Sequence, residues 1–129
     1  AYARLIPNMQ KTKTLVMGAS PNPDRYSNAA VRELTKNHHP VVAFGRRTGK
    51  VAGIPIETEL VHYEDIDTVT LYLNPANQRP FYEYILSLEP RRVIFNPGTE
   101  NPEFISLLRE YNIYPEIACT LVLLSLSSY

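Results

Sequence analysis

Two adjacent guanidinium groups, Arg46 and Arg47, follow the apolar run Val41, Val42, Ala43, Phe44 and the turn residue Gly45. A short β-prone run bounded by turn residues reads as a strand, so both cations stand at a strand tip. Each guanidinium can hold phosphate oxygens two at a time through its fork of N–H donors. Where such a tip meets the ribose of a bound adenosine, an acid selects a free 2′-hydroxyl and cations select an added phosphate. The pair therefore argues for a phosphorylated adenosine over NAD.

A second group of residues suits a second anion. Gly18, Ala19 and Ser20 follow the run Thr14–Met17. Gly18 permits close backbone approach to a pyrophosphate, and Ser20 adds a hydroxyl. The next helix aims its free amides and dipole at the same charge. The full GxGxxG pattern is absent.

The elements that must carry these tips alternate between two hydrophobic periods. Thr14–Met17, Val41–Phe44, Thr68–Leu73, Val93–Phe95 and Ile113–Ile117 are five expected strands. A first helix runs over about Ser27–Lys36 with Ala30, Val31 and Leu34 inward, and Pro40 ends it. Phe81, Tyr84, Ile85 and Leu88 repeat with helical spacing, as do Phe104, Leu107, Leu108 and Tyr111. The last helix has Asn101 as N-cap, Pro102 at its first position and Glu103 in its first turn. Pro80 predicts a break or tightened turn near Asn77.

Strands separated by single helices imply a doubly wound α/β fold: a parallel five-stranded sheet with helices on both faces, a three-layer sandwich. In such sheets ligands bind beyond the carboxyl ends of the strands. Besides the two tips above, that edge carries Asn74, Pro75, Ala76 and Asn77 after strand three. Asn96, Pro97, Gly98 and Thr99 follow strand four.

Composition removes several partners. The 129 residues suit one domain, with 1–12 as a lead-in to the first strand, and 44% of them are apolar, enough for a core. Lys plus Arg equals Asp plus Glu at 13 each, which does not fit a nucleic-acid surface. The longest apolar run, Leu121–Leu124, falls far short of a membrane span, and Ala1–Gln10 lacks the apolar stretch of a signal peptide. A single cysteine, Cys119, gives no internal disulfide or thiolate zinc site and fits a reducing cytoplasm.

At this point the chain resembles a known family. The stretch 14–28, centred on Leu15-Val-Met-Gly-Ala-Ser-Pro-Asn-Pro-Asp-Arg-Tyr-Ser27, is similar to the opening of stand-alone CoA-binding domains. These are related to the CoA-binding domain of the succinyl-CoA synthetase alpha subunit. The likeness continues through Gly53-Ile-Pro-Ile56, Leu71–Gln78, Phe95–Asn101 and Ala118–Val122. It implies a Rossmann-like sheet that holds coenzyme A by its 3′-phospho-ADP end. By that resemblance Gly18, Ala19 and Ser20 face the pyrophosphate, and Tyr26 and Ser27 close the loop. Arg47 falls where many relatives carry lysine after an Asn-Pro pair, and this chain departs from them with Gly45 and Arg46, so Arg46, beside Phe44 and Gly45 at the ribose phosphate, rests on its charge and place. Leu73, Asn74 and Asn77 line the adenine side, and Asn96, Gly98 and Thr99 border the pantetheine route.

The residues alone leave CoA and NADP open, since both carry a ribose phosphate. The short chain has little left to hold a second substrate against a nicotinamide. A minimal NADP-linked oxidoreductase and a structural or regulatory dimer with a vestigial site stay as alternatives. No catalytic set or metal site assembles from the tips. His38 and His39 fall at the C-terminus of the first helix, away from the ligand edge, and His62 reads as solvated loop. Cys119, after the fifth strand, reads as a space-filling residue, with a mixed disulfide to CoA as the alternative. Tyr82, Tyr84, Tyr111, Tyr114 and Tyr129 can serve either core packing or a self-association face for a homodimer or an unidentified protein partner.

Overall fold

A computed structural model describes residues 12–129 of the protein. All but Thr12 of the expected lead-in lies outside the described residues.

Strand β1, Thr14–Ala19, is followed by helix α1, Tyr26–Lys36, strand β2, Val41–Gly45, and the strands β3, Gly49–Val51, and β4, Ile54–Glu57. Next come β5, Thr68–Leu71, a single helical turn α2, Pro75–Gln78, a 3₁₀ turn, Arg79–Phe81, and α3, Tyr82–Ser87. The chain continues with β6, Arg92–Phe95, α4, Pro102–Glu110, β7, Tyr114–Ile117, and α5, Thr120–Ser125. The sheet order is β3-β4-β2-β1-β5-β6-β7. Neighbours are parallel except the β3/β4 hairpin.

Central strands of a doubly covered sheet are buried on both faces, and β1 shows it. Leu15 and Met17 join a core with Val69, Leu71, Val93 and Phe95 that α3 and α4 cover through Ile85, Phe104 and Leu108. Val16 turns to the other face, where Val31 and Leu34 of α1 meet Leu124 of α5. The α/β class and three-layer plan are those expected.

Among the described residues the sheet has seven strands, not five. The sequence reading missed the β3/β4 hairpin because both strands are short and one holds Pro55, which lacks a ladder donor. Pro55 is tolerated because β4 pairs with β2 only through Ile56 and Glu57. Ala52 and Gly53, with φ of 50° and 80°, make the turn. The break expected near Asn77 falls at Arg79–Phe81, where Pro80 sits at the start of the 3₁₀ turn. The cap of α4 is as expected, with Asn101 Oδ1 accepting the Phe104 amide at 3.2 Å.

Opposite the ligand edge, the amino ends of the strands are closed by a polar cluster. Buried Arg92 pairs with Glu116 at 3.0 Å and lies 4.6 Å from the centre of the Tyr129 ring, whose hydroxyl bonds Thr14 Oγ1 at 2.6 Å. His39 meets the same Tyr129 ring edge-on at 4.9 Å, so it belongs to this cluster as well as to the end of α1. Burial, then Arg92, then His38 lower its pKa from 6.5. A depressed folded value means that the unfolded chain binds the proton first as pH falls. The stability from neutral His39 is whole above about pH 6.5 and is lost as pH drops through the folded value. In thermal melts from pH 7 to pH 5, His39→Gln is expected to lose less stability than the parent protein. Equal losses would remove His39 from the acid response.

The tyrosines do not share one face. Tyr82 and Tyr84 are partly buried and hydrogen-bonded, and Tyr129 belongs to the cluster just described. Tyr111 and Tyr114 are exposed.

Candidate functional site

The sheet order reverses at β1, with β2 on one side and β5 on the other, so the loops leaving their carboxyl ends diverge around a cleft. Its volume is about 1050 Å³, at the top of the roughly 300–1,000 Å³ usual for ligand sites.

Two glycines allow the strand tips to close up into its floor. Gly18 interrupts the β1/β2 register between Met17 and Ala19, with φ of +93°. A Cβ there would meet the Tyr72 carbonyl oxygen at 2.9 Å. A Cβ on Gly45 would fall on the Ala19 carbonyl oxygen, which only the absent side chain permits. Gly45→Ala must therefore push the tips of β1 and β2 apart, at an expected cost of about 1 to 3 kcal/mol. Denaturant unfolding checks this, and an unchanged midpoint would show that the tips are free to yield.

The first loop is held from below. Asn28, buried in α1, donates to the Ser20 carbonyl oxygen at 3.0 Å and accepts from Arg32 at 2.8 Å. Ser20 Oγ and Asn22 Oδ1 accept the amides of Asn22 and Asp24 at 3.1 and 2.9 Å, which curls the loop towards Arg25 and Tyr26.

The far wall is tied by one buried amide. Gln78 Nε2 donates to the carbonyl oxygens of Leu73 and Thr99, both at 2.8 Å, and its Oε1 accepts from Asn101 at 2.9 Å. This joins the loop after β5 to the loop after β6 and to the cap of α4. Asn74 caps α2 by accepting the Asn77 amide at 2.9 Å. Phe44 and Phe81 meet edge-to-face at 5.3 Å and, with Leu73 and Pro80, form an apolar stretch of wall.

Of the residues expected at the ligand edge, Gly18, Ala19, Ser20, Tyr26, Ser27, Phe44, Gly45, Arg46, Arg47, Leu73, Asn74, Asn77, Gly98 and Thr99 line this cleft. Asn96 does not. It is buried behind the wall, donating to Thr70 Oγ1 and the Leu71 carbonyl oxygen at 2.6 and 2.8 Å, while its Oδ1 accepts the Thr120 amide at 2.9 Å. Its position at the end of β6 suits bracing α5 against the sheet. The Gly98 amide donates to Glu100 at 2.8 Å, so Gly98 offers the cleft backbone surface and not a free N–H.

Among the described residues, the cleft wall contains three arginines, Arg25, Arg46 and Arg47, and no Asp, Glu, His, Cys or Lys. All three arginines are exposed, and among the described residues none has an ion pair. Tyr72 also borders the cleft, but its hydroxyl is enclosed and burial pushes its pKa well up. Cys119 stands at the N-cap of α5 and His62 in the exposed segment before β5, both off the cleft wall.

Residues 12–125 match the family model described as CoA binding domain. The chain belongs to the CoA binding domain family. This CoA binding domain is similar to the crystal structure of an uncharacterized protein at 49% identity and TM-score 0.90, over 92% of this chain and 98% of that one. A protein from Thermus thermophilus aligns at 20% identity and TM-score 0.81, covering 99% and 97% of the two chains. A hypothetical protein from Pyrococcus horikoshii OT3 aligns at 24% and 0.76, covering 92% and 84%. At those two identities the likeness is one of fold. No curated protein matches the chain.

Sequence reasoning missed several parts of this CoA binding domain's cleft. Arg25, Tyr72, Pro80 and Phe81 line it, and Gln78 and Asn28 hold it from behind. Arg25 had a usable signal, since it sits immediately before Tyr26 at the start of the first helix. Gln78 had none, because a polar residue in a turn normally reads as solvated.

Proposed function

We propose that the cleft binds coenzyme A by its 3′-phospho-ADP end, as a binding module with no chemical step of its own. The observation that carries this reading is a cleft with three arginines and, among the described residues, no carboxylate, in a chain whose basic and acidic residues balance overall at 13 each. Such a site selects an anion with more than one charged group. Membership of the CoA binding domain family supports CoA as that anion.

In this reading Arg46 and Arg47 hold the 3′-phosphate, and Gly18, Ala19, Ser20, Tyr26 and Ser27 surround the pyrophosphate. The apolar stretch of Phe44, Leu73, Pro80 and Phe81, with Asn74 and Asn77 at its rim, takes the adenine. Gly98 and Thr99 border the route of the pantetheine arm. Acid–base or nucleophilic work needs a titratable group in reach of the reacting atoms, and among the described residues the cleft wall supplies no carboxylate, imidazole, thiol or amine.

Backbone amide shifts followed by NMR during CoA addition test the placement. The expected changes concentrate on residues 18–27, 45–47, 73–77 and 98–99. Changes centred on β7 or on the Arg92 cluster would place the ligand elsewhere.

A further inference from the structure

The β5/β6 ladder ends at the register pair of Leu71 and Phe95, and beyond it the two strands run into separate loops of the cleft wall. The loop after β5 carries Asn74 and Asn77, and the loop after β6 carries Gly98 and Thr99. Among the described residues, two hydrogen bonds cross between residues 73–78 and 97–101, and Gln78 makes both. Its Nε2 donates to the Thr99 carbonyl oxygen at 2.8 Å, and its Oε1 accepts from Asn101 Nδ2 at 2.9 Å. The other Nε2 proton goes to the Leu73 carbonyl oxygen, also at 2.8 Å, so the same group fastens the near loop.

The side chain is fully enclosed, in a turn where a polar residue ordinarily faces water. A carboxamide taken out of water needs its polar atoms matched, and here both N–H donors and the carbonyl oxygen are. A buried network satisfied in this way holds its members in one arrangement. Asn101 extends it: its Nδ2 also donates to the Tyr82 hydroxyl at 2.8 Å, which in turn donates to Glu103 at 3.0 Å. Tyr82 stacks on Phe104 at 4.2 Å, so the tie is anchored where α3 meets α4.

We propose that Gln78 is a positioning residue that couples the two ends of the ligand, setting the loop that borders the pantetheine arm by reference to the loop that borders the adenine. The assignment rests on the CoA-binding reading above. Contacts at the nucleotide end then fix Gly98 and Thr99 before the arm reaches them. Binding of the arm carries no further cost of ordering that loop.

Gln78→Met keeps the length of the side chain and removes its polar atoms. Calorimetry at a temperature where the variant is folded compares CoA with 3′-phospho-ADP, the same nucleotide end without the arm. The ratio of the two affinities, CoA over 3′-phospho-ADP, is expected to fall roughly fivefold to twentyfold in the variant. A purely structural defect lowers the competent fraction and weakens both ligands by one factor, so an unchanged ratio overturns the assignment. The parent protein supplies a second test that needs no variant. There 3′-phospho-ADP alone should slow hydrogen exchange at the amides of Gly98 and Thr99 as well as at those of Asn77 and Gln78. Slowing confined to the loop after β5 also overturns the coupling. A parent protein that binds neither ligand sinks the CoA reading, and this assignment with it.

Discussion

Replacing Arg46 and Arg47 together by alanine is expected to weaken CoA binding by about 2 to 5 kcal/mol, with little change for dephospho-CoA. The difference between the two ligands is the single phosphate that the β2 tip is proposed to hold. Charge-assisted bonds from a guanidinium contribute more than neutral ones, and two such groups on one phosphate are geometrically specific. The substitution should leave the fold intact, because both side chains are exposed and make no ion pair among the described residues. Calorimetric titration of the double variant with both ligands measures the effect. Equal losses for CoA and dephospho-CoA would show that the pair acts through general charge and not on the 3′-phosphate.

Gln78→Leu is the substitution expected to damage the fold of the cleft most. The side chain is fully buried, and its amide group satisfies two carbonyl oxygens and one carboxamide N–H from three different segments. Leucine is close in size but leaves Leu73 O, Thr99 O and one Asn101 donor enclosed without this partner. Stranding buried polar groups costs about 1 to 3 kcal/mol each, and because these share one site a total near 3 to 5 kcal/mol is expected. Asn101 also donates to Tyr82 at 2.8 Å and caps α4, so the damage should spread to that helix start. Chemical denaturation measures the stability change. A loss below about 1 kcal/mol would mean that other donors or water replace the amide.

The contrast between the arginine pair and Gln78 shows what the sequence could disclose. Charge at a strand tip is visible because the strand before it has an apolar run and the tip has a turn residue, as in Val41–Gly45. The five strands built from such runs were legible, and so was the α4 cap at Asn101, whose cue is local. The β3/β4 hairpin was hidden because its strands are three and four residues long and include a proline. Asn96 was placed on the cleft wall by its position after a strand. Its carboxamide instead turns inward, to hydroxyl and backbone groups of β5 and α5 that are distant in sequence. Gln78 and Asn28 were missed for the same reason, since their partners come together only in the folded chain. Periodicity and turn chemistry report the direction of a local element, whereas a buried polar contact depends on which elements become neighbours.

The CoA reading, with the 3′-phosphate at Arg46 and Arg47, meets its most direct test in one experiment on the unmodified protein: calorimetric titration with CoA, dephospho-CoA, NADP and NAD under identical salt. Exposed cations are screened as ionic strength rises, so the comparison belongs at one low salt concentration. The account predicts CoA as the tightest ligand, dephospho-CoA weaker by the contribution of the 3′-phosphate, and NADP and NAD weaker than CoA. Tighter binding of NADP, or equal binding of CoA and dephospho-CoA, would contradict it.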